Sequence, residues 1–324
     1  MMNSNPVVSV VIIFLNEEHF LREAIESVFA QTSEDWELLL VDDGSTDASS
    51  EIARGYAERN PWKVRYLFHE GHRNLGMSAS RNLGIRNACG KYISYLDGDD
   101  VWLPKKLEEQ VAILESHCEA AMVYGPLQRW FSWNGNPSDL HREHLVGAGR
   151  KSVHPHWDTL VTPPTLVRLF LLDEYFIPGG ILIRRDAIDS VGMYDEAFRG
   201  MYEDTVMMTK ICLEFPVFVS GNVWYKYRMH PEACTFVTWR NGESDSAFRI
   251  YLQWVEKYLM EKGIRDTRVW GALQKAQWRC RHANWYRLRD LQYLKWWAKN
   301  FVKSMARRSL PESSRRWIKV QLNR

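Results

Sequence analysis

Acidic and amide side chains follow three apolar runs near the start of the chain. The runs end at Asn16 and Glu17, at Asp42 and Asp43, and at the segment 97–100, which reads Asp-Gly-Asp-Asp. A continuous apolar run predicts a buried strand of a parallel sheet, and ligands of such sheets bind outside the carboxyl ends of the strands. We therefore expect the three groups of polar side chains to converge on one edge of a sheet.

The acidic segment 97–100 has the composition of a cation site. One glycine separates Asp97 from Asp99, so the two carboxylates can hold Mg²⁺ or Mn²⁺ between the protein and a substrate phosphate. This combination predicts a site for a nucleoside diphosphate, with Asp99 as the metal ligand. The alternative is that both aspartates are turn residues that cap the helix beginning near Pro104.

The elements that would position these residues alternate between strand and helix. Apolar runs at 9–15, 37–41, 64–68 and 91–96 predict strands, and apolar residues at helical spacing predict the helices between and after them. Alternation of this kind is typical of an α/β fold. We predict a Rossmann-like, mostly parallel sheet with helices on both faces.

Length and composition narrow the class of protein. The chain has 324 residues, of which 45% are hydrophobic, enough for one large α/β domain with an appendage. No apolar run approaches the roughly 20 residues that span a bilayer, and residues 1–6 lack the features of a signal peptide. We therefore expect a cytoplasmic protein. The cysteines are widely spaced with no Cys-x-x-Cys pair, which predicts reduced thiols, mostly in the core.

The net charge of +2 conceals a division between the body and the C-terminal part of the chain. Residues 245–324 hold about 19 Lys and Arg against about 6 Asp and Glu, so this part is strongly basic and the remainder is acidic. Apolar residues recur at helical spacing between 291 and 305. We predict a catalytic domain at 1–240 and a helical, basic C-terminal extension at 241–324.

Two roles for this basic extension remain open. A basic amphipathic helix that contains Trp297 and Phe301 fits the surface of an anionic membrane, which would place the protein peripherally at the inner face of the plasma membrane. The alternative is a helix docked on the acidic body. Nucleic-acid binding is not expected, because no recognised nucleic-acid motif accompanies the basic charge.

The order of the polar segments resembles that of the inverting glycosyltransferases of family 2. The resemblance covers roughly residues 7–235. It implies a nucleotide-binding domain of the glycosyltransferase-A type, a nucleotide-sugar donor, a divalent cation (Mn²⁺ or Mg²⁺) and inversion at the anomeric carbon. The segments that carry it are Asn16–Glu17, Asp42–Asp43–Gly44–Ser45, Asn74-x-Gly76, Ser80–Arg81–Asn82, Asp97–Gly98–Asp99–Asp100 and Glu203–Asp204.

The resemblance also implies a donor site. Asp43 would accept a hydrogen bond from an imide N–H, as uracil offers, so a UDP-sugar is the expected donor; an Asx turn is the alternative. Arg81 would neutralise a phosphate or serve as a salt-bridge partner. Phe14 and Leu15 stand where the family usually has smaller or hydroxyl-bearing residues followed by Tyr, which leaves the nucleobase open. The implied donor-binding residues are Phe14, Asn16, Glu17, Asp43, Asn74, Arg81 and Asp97.

An inverting transfer needs a base on the acceptor side, because the attacking hydroxyl loses its proton as the bond forms. The resemblance implies that Asp204 is this base and that Glu203 lies beside the acceptor; for a carboxylate at a helix start, a dipole partner is the alternative. Gly179 and Gly180 would let an acceptor approach the backbone, or form a tight turn. His230, in a Tyr-Arg-x-His segment, would be a second metal ligand or a diphosphate contact; a packed or surface histidine is the alternative.

The connection at 125–164 has no clear periodicity and is rich in Trp and His. Long connections of this kind in a compact enzyme often contact the substrate. Its aromatic residues, among them Trp130 and Trp133, would stack on sugars or fill a core.

The activity that the resemblance implies is transfer of a sugar to a glycan or lipid-linked acceptor in surface polysaccharide assembly. The sequence lacks the Gln-x-x-Arg-Trp motif of processive synthases, which favours a single transfer per encounter. Two rivals are a metal-dependent phosphohydrolase with Asp97 as nucleophile and a glycan- or membrane-binding scaffold without turnover. That phosphohydrolase chemistry usually has Gly and Thr after the second acid, where this chain has Asp100 and Val101.

Overall fold

The computed structural model of the chain describes residues 6–146, 157–172 and 180–282. Gly179 and the basic segment 283–324 lie outside these described residues. The strands are β1 (Val8–Phe14), β2 (Trp36–Asp42), β3 (Val64–Phe68), β4 (Tyr92–Asp97), β5 (Val101–Trp102), β6 (Met122–Tyr124), β7 (Leu127–Trp130), β8 (His144–Val146), β9 (Thr159–Val161), β10 (Leu182–Arg184), β11 (Val217–Val219) and β12 (Tyr225–Arg228). The α-helices are α1 (Leu21–Phe29), α2 (Ser49–Arg59), α3 (Met77–Asn87), α4 (Lys106–Ser116), α5 (Thr165–Leu171), α6 (Arg185–Val191), α7 (Glu203–Glu214), α8 (Cys234–Arg240), α9 (Ser244–Glu261) and α10 (Thr267–Arg281).

Eight of the described strands form the main sheet, in the order β3-β2-β1-β4-β10-β6-β11-β9. β1 pairs in parallel with β2 and β4, and the pairs β2–β3 and β6–β11 are also parallel. β9 and β10 run antiparallel to their neighbours. The prediction of a mostly parallel α/β sheet is therefore confirmed.

The side chains of β1 alternate between the two faces of this sheet, because successive residues of a strand point to opposite sides. Val8, Val10 and Ile12 share a buried apolar cluster with α1, α2 and α4. Val11 packs on the other face against α3, where its side chain leaves no room for a Cβ at Gly84. Helices therefore cover both faces, as predicted, and the buried strands fix the position of their polar ends.

A smaller sheet has the strand order β5-β12-β7-β8 and lies next to the end of β4. β5 follows directly after the acidic segment 97–100, and β12 pairs antiparallel to β5. Residues that follow β12 therefore lie beside that segment. This pairing brings His230 next to Asp99, although 131 positions separate the two residues in sequence.

The chain divides into two compact units, residues 1–273 and 274–324. Within the first unit, the hydroxyl groups of Thr209 on α7 and Tyr251 on α9 lie 2.8 Å apart, so α9 packs on α7. The predicted boundary at residues 240 and 241 stays a prediction. In the part of the chain that the structure describes, no helix is both long and apolar enough to cross a bilayer.

Three cysteines depart from the sequence expectation. Cys89, Cys118 and Cys234 are exposed, whereas Cys212 is buried. Burial raises the pKa of the Cys212 thiol, which keeps it in the unreactive protonated form. The expectation that the cysteines lie mostly in the core is therefore wrong.

Candidate active site

The carboxyl ends of β1, β2 and β4 meet at one edge of the main sheet. Ile13 lies opposite Asp97, and Phe14 lies opposite Asp42, in the parallel ladders. The ladder continues beyond β4, since the N–H of Gly98 donates to the carbonyl of Ile13 at 3.1 Å. The three polar segments predicted to converge therefore lie side by side.

The ring of Phe14 does not face this edge. Its side chain is 3% exposed and belongs to the buried apolar cluster, on the same side of β1 as Val10 and Ile12 because strand residues alternate. A Cβ at Gly98 would lie 2.8 Å from that of Phe14, so the glycine is needed there. The Phe14 ring is thus a core group, and the exposed side chain at the strand end is that of Leu15. A donor contact at Phe14 stays a prediction.

Asn16 and Asp43 hold loops at this edge. The Asn16 Oδ1 atom accepts from the N–H of Thr46 at 2.8 Å. The buried Asp43 carboxylate accepts from the N–H groups of Leu75 and Gly76, at 2.8 and 3.0 Å. Both side chains therefore order the backbone around the predicted donor site, and donor contacts by either of them stay predictions.

Asn74 is exposed on the loop that Asp43 holds. Gly44 brings the two loops together: its φ is +91°, and a Cβ there would lie 2.8 Å from the backbone nitrogen of Asn74. A glycine suits both the left-handed backbone and the close approach. The side chain of Asn74 is accessible at this edge, and its contact with a donor stays a prediction.

Arg81 links the end of β4 to the start of α7. Its guanidinium is buried, and it donates from Nη1 to Glu203 Oε1 at 2.6 Å and from Nη2 to Asp97 Oδ1 at 2.8 Å. A buried guanidinium requires acceptors for its fixed fork of N–H groups, and two carboxylates satisfy it. Arg81 is therefore a salt-bridge partner of Asp97 and Glu203 in this structure, and a phosphate contact stays a prediction.

The carboxyl group of Glu203 has a raised pKa. Burial raises its pKa to about 7; the positive charge of Arg81 opposes this rise, and the negative charge of Asp204 adds to it. The Arg81–Glu203 pair therefore exchanges a proton with solvent near neutral pH.

We expect the free energy of unfolding to fall as the pH rises toward 7. The ordinary pKa of a Glu carboxyl is 4.5, so between that value and about 7 the folded chain holds a proton at Glu203 that the unfolded chain has released. The unfolded state then binds fewer protons, which gives a negative slope of stability with pH. Glu203→Gln should flatten the slope, measured from urea unfolding midpoints between about pH 5 and pH 8. The same slope in wild type and variant would contradict the raised pKa.

Asp204 lies in the first turn of α7. The chain enters this helix through Tyr202, whose φ is +77°, and Asp204 Oδ1 accepts from the N–H of Thr205 at 2.6 Å. The carboxylate is half-buried, and its charge acts on Arg81 and on Glu203. The structure therefore brings Asp204 to the acidic edge, in a position that also suits the helix dipole.

Asp99 and His230, the two predicted metal ligands, are in contact. His230 Nε2 lies 2.9 Å from Asp99 Oδ2, and both side chains are largely buried. The contact is a hydrogen bond in this structure, and its length matches the separation of about 3 Å between two neighbouring ligands of one divalent ion with bonds of about 2.1 Å. Within residues 6–146, 157–172 and 180–282, no group of three or more His, Cys, Asp or Glu side chains is arranged for a metal. Substrate or water oxygens would have to supply the other ligands.

Glu17 lies beside the acidic segment 97–100. Its Cγ lies 3.4 Å from the place of a Cβ at Gly98. Burial, together with the charges of Asp99 and Asp97, raises the pKa of the Glu17 carboxyl to about 8. A recess with several acidic groups attracts cations, so the charge of this edge suits the predicted ion.

Gly180 is buried beneath the small sheet. Its φ is +75°, and a Cβ there would lie 3.0 Å from the Cβ of Tyr225. Its carbonyl accepts from Gln110 Nε2 at 2.8 Å, and the Tyr225 hydroxyl donates to the buried carboxylate of Asp100. The close approach at Gly180 is thus made by Tyr225 in this structure, and acceptor binding there stays a prediction.

Sequence reasoning missed one residue of this site, Arg228. Its side chain is 1% exposed and donates to the carbonyl of Asp99 and to the carboxylate of Glu23. A signal was present, because the Tyr-Arg-x-His segment places an arginine two residues before the histidine. Only the histidine was singled out as a ligand.

The sheet order and the acidic edge define an α/β fold of the glycosyltransferase-A type. The chain belongs to glycosyl transferase family 2, whose family model matches residues 9–192. This match includes the segment 97–100 and ends before Glu203, Asp204 and His230.

Relatives of the chain share part of their length with it. It is 42% identical over 116 residues to the putative glycosyltransferase EpsE of Bacillus subtilis, covering 36% of this chain and 41% of that protein. It is 30% identical over 254 residues to an uncharacterized glycosyltransferase of Rickettsia bellii, covering 76% of this chain and 34% of that protein. The chain therefore spans less than half the length of these relatives.

Two solved structures are similar in fold. TarS 1–349 of S. aureus, in complex with UDP-GlcNAc, has a TM-score of 0.60 at 17% identity, covering 94% of this chain and 82% of that one. The mannosyltransferase PcManGT from Pyrobaculum calidifontis, in complex with GDP-Man and Mn²⁺, has a TM-score of 0.54 at 15% identity. The match covers 98% of this chain and 85% of that one. These likenesses confirm the predicted fold class.

Proposed function

We propose that the chain is a metal-dependent, inverting glycosyltransferase. It moves a sugar from a nucleoside-diphosphate donor, a UDP-sugar, to a hydroxyl of a glycan or lipid-linked acceptor. The observation that carries this proposal is the pair of Asp99 and His230, 2.9 Å apart at the carboxyl edge of the sheet. Family membership supports the reaction type, and the complexes of TarS and PcManGT support the donor class and the cation.

On the donor side, Asp99 and His230 would hold Mn²⁺ or Mg²⁺ against the diphosphate. Such an ion supplies charge neutralisation for the departing nucleoside diphosphate. Asp97 would bind the ribose or the sugar, and Arg81 holds its Oδ1 atom in place at 2.8 Å. Asp43 would read the nucleobase from the loop that it anchors.

On the acceptor side, Asp204 would take the proton from the attacking hydroxyl. The new glycosidic bond forms as the bond from the anomeric carbon to the diphosphate breaks, so a single displacement inverts the configuration and leaves no covalent enzyme intermediate. Glu203 is engaged by Arg81 at 2.6 Å, whereas the Asp204 carboxylate is half-buried and reaches the edge. Asp204 is therefore the better base of the two.

No observation favours the phosphohydrolase rival. It needs Asp97 as a nucleophile, and the buried Arg81 holds that carboxylate in an ion pair. Surface polysaccharide or glycolipid assembly is the setting that the family resemblance supports. A cytoplasmic location and attachment of the basic segment to an anionic membrane stay predictions, and that segment lies outside the described residues.

A binding screen tests the proposed function. UDP-, GDP-, CDP- and dTDP-sugars are titrated into the full chain by calorimetry, in MnCl₂ and in EDTA, and release of nucleoside diphosphate is then followed for each ligand that binds. We expect one nucleobase class to bind at least about tenfold more tightly with Mn²⁺ and to be turned over. Binding of none of these donors would overturn the proposal, and binding without release of nucleoside diphosphate would favour the scaffold rival.

A further inference from the structure

Arg228 lies in a box of three aromatic rings, formed by Phe20, Trp130 and Trp133. The guanidinium carbon is 4.8, 4.5 and 5.5 Å from the three ring centroids, and the side chain is 1% exposed. A guanidinium can lie on aromatic faces in this way because its planar charge is weakly hydrated and attracted to the π-system. The aromatic box therefore holds the plane of the side chain.

The nitrogens of Arg228 are bonded to two other segments of the chain. Nε donates to the backbone carbonyl of Asp99 at 2.5 Å, and Nη2 donates to Glu23 Oε2 at 2.7 Å. The backbone N–H of Arg228 donates to Asp100 Oδ1 at 2.6 Å. One residue of β12 therefore fastens the acidic segment 97–100 to α1.

The aromatic box also contacts the segment that carries the second metal ligand. The Phe20 ring lies 4.8 Å from the His230 ring, and Trp133 Nε1 donates to the carbonyl of Met229 at 3.0 Å. Both sides of the Asp99–His230 pair are thus fixed by the same small group of residues. None of the box residues or Arg228 supplies an oxygen or imidazole ligand.

We propose that Arg228 is a positioning residue that sets the separation of Asp99 and His230 and thereby the affinity of the site for a divalent cation. The inference rests on the cation site of the proposed function. Arg228 orients Asp99 by its hydrogen bond to the Asp99 carbonyl. It orients His230 because its own side chain is held in place only two residues earlier in the chain. Groups that orient metal ligands without touching the ion commonly change metal affinity by about 10- to 100-fold.

Electrostatics alone gives the opposite expectation for Arg228. A buried positive charge beside a cation site repels the incoming ion, so removal of that charge would tighten binding. Positioning predicts that binding weakens. The sign of the change in affinity therefore separates the two explanations.

The test measures Mn²⁺ affinity of the full chain in the presence of UDP, by electron paramagnetic resonance of free Mn²⁺. Arg228→Met keeps much of the side-chain volume and removes the charge and the N–H fork. Arg228→Lys keeps the charge, but its single nitrogen cannot serve both the Asp99 carbonyl and Glu23. We expect both variants to bind Mn²⁺ about tenfold more weakly, while UDP affinity in EDTA is unchanged and thermal unfolding shows that both are folded.

Tighter or equal Mn²⁺ binding by Arg228→Met, or wild-type affinity in Arg228→Lys, would overturn the positioning role while the proposed function stands. If Arg228→Met does not fold, Trp133→Phe takes its place: it keeps a ring in the box and removes the N–H that holds the Met229 carbonyl, and unchanged Mn²⁺ affinity there would overturn the inference. Failure of the wild-type chain to bind Mn²⁺ with UDP would overturn the proposed cation site, and the inference with it.

Discussion

Replacement of Asp204 by asparagine should lower the rate of sugar transfer by about 10²–10⁴ while donor affinity is retained. Asparagine keeps the shape of the side chain and can still accept the N–H of Thr205, as Oδ1 does at 2.6 Å. It cannot take a proton from an acceptor hydroxyl. Single-turnover transfer measures the rate, and calorimetry with the donor measures the affinity.

Asp186 offers a matched control for this variant. It lies in the first turn of α6, where its Oδ1 atom accepts from the N–H of Ala187 at 2.8 Å, the same local arrangement as at Asp204. A carboxylate that only complements a helix dipole contributes a fraction of a kcal/mol, up to about 1 kcal/mol at a surface, so Asp186→Asn should transfer sugar at the wild-type rate. A wild-type rate in Asp204→Asn as well would assign the base to another residue.

Short-range patterns were sufficient to predict the sheet edge. Runs such as 37–41 and 91–96 are mostly apolar because helices cover both faces of the sheet, and they end where the chain leaves the sheet. The observed strand β2 (Trp36–Asp42) extends its run by one residue at each end, and β4 (Tyr92–Asp97) lies one residue later than its run. The convergence of Asp43, Asp97 and Asp99 followed from parallel pairing, which leaves all the carboxyl ends at one edge.

Contacts between distant segments could not be predicted from spacing. Arg81 and Glu203 are 122 positions apart, and their ion pair depends on how α3 and α7 pack at the end of the sheet. The sequence therefore left Arg81 open between a phosphate contact and a salt bridge. The approach of Tyr225 to Gly180 depends in the same way on the pairing of β12 with β5.

Aromatic residues were also ambiguous in sequence, because the same ring can stack on a sugar or fill a core. The family resemblance placed Phe14 at the donor, and the alternation of β1 turns its ring inward. Trp130 and Trp133 contact Arg228 in the structure and are half-buried, so stacking of either ring on a sugar stays a prediction. Only the fold shows which side of a segment is covered.

The dependence of nucleotide affinity on Mn²⁺ should be lost when either ligand of the predicted ion is replaced. Asp99→Asn removes the negative charge, and His230→Gln removes the imidazole that lies 2.9 Å from it. With UDP as ligand, we expect the roughly tenfold or greater gain that Mn²⁺ gives the wild type to fall below about twofold in both variants. Because the ion acts through these ligands, all three proteins should bind UDP alike in EDTA. Calorimetry in MnCl₂ and in EDTA measures both quantities.

The pair of His72 and Asp42 provides the control for a general effect of breaking a histidine–aspartate contact. His72 Nε2 lies 3.0 Å from Asp42 Oδ2 at the end of β2, nearly the separation found in the Asp99–His230 pair. The oxygens of Asp42 are occupied by the N–H groups of Gly44 and Ser45 and by other side chains, which leaves this pair unsuited to an ion. His72→Gln should therefore keep the full gain in UDP affinity with Mn²⁺. If Asp99→Asn kept the full gain in UDP affinity with Mn²⁺, the ion would not be held by Asp99 and His230. Loss of that gain in His72→Gln would contradict the assignment as well.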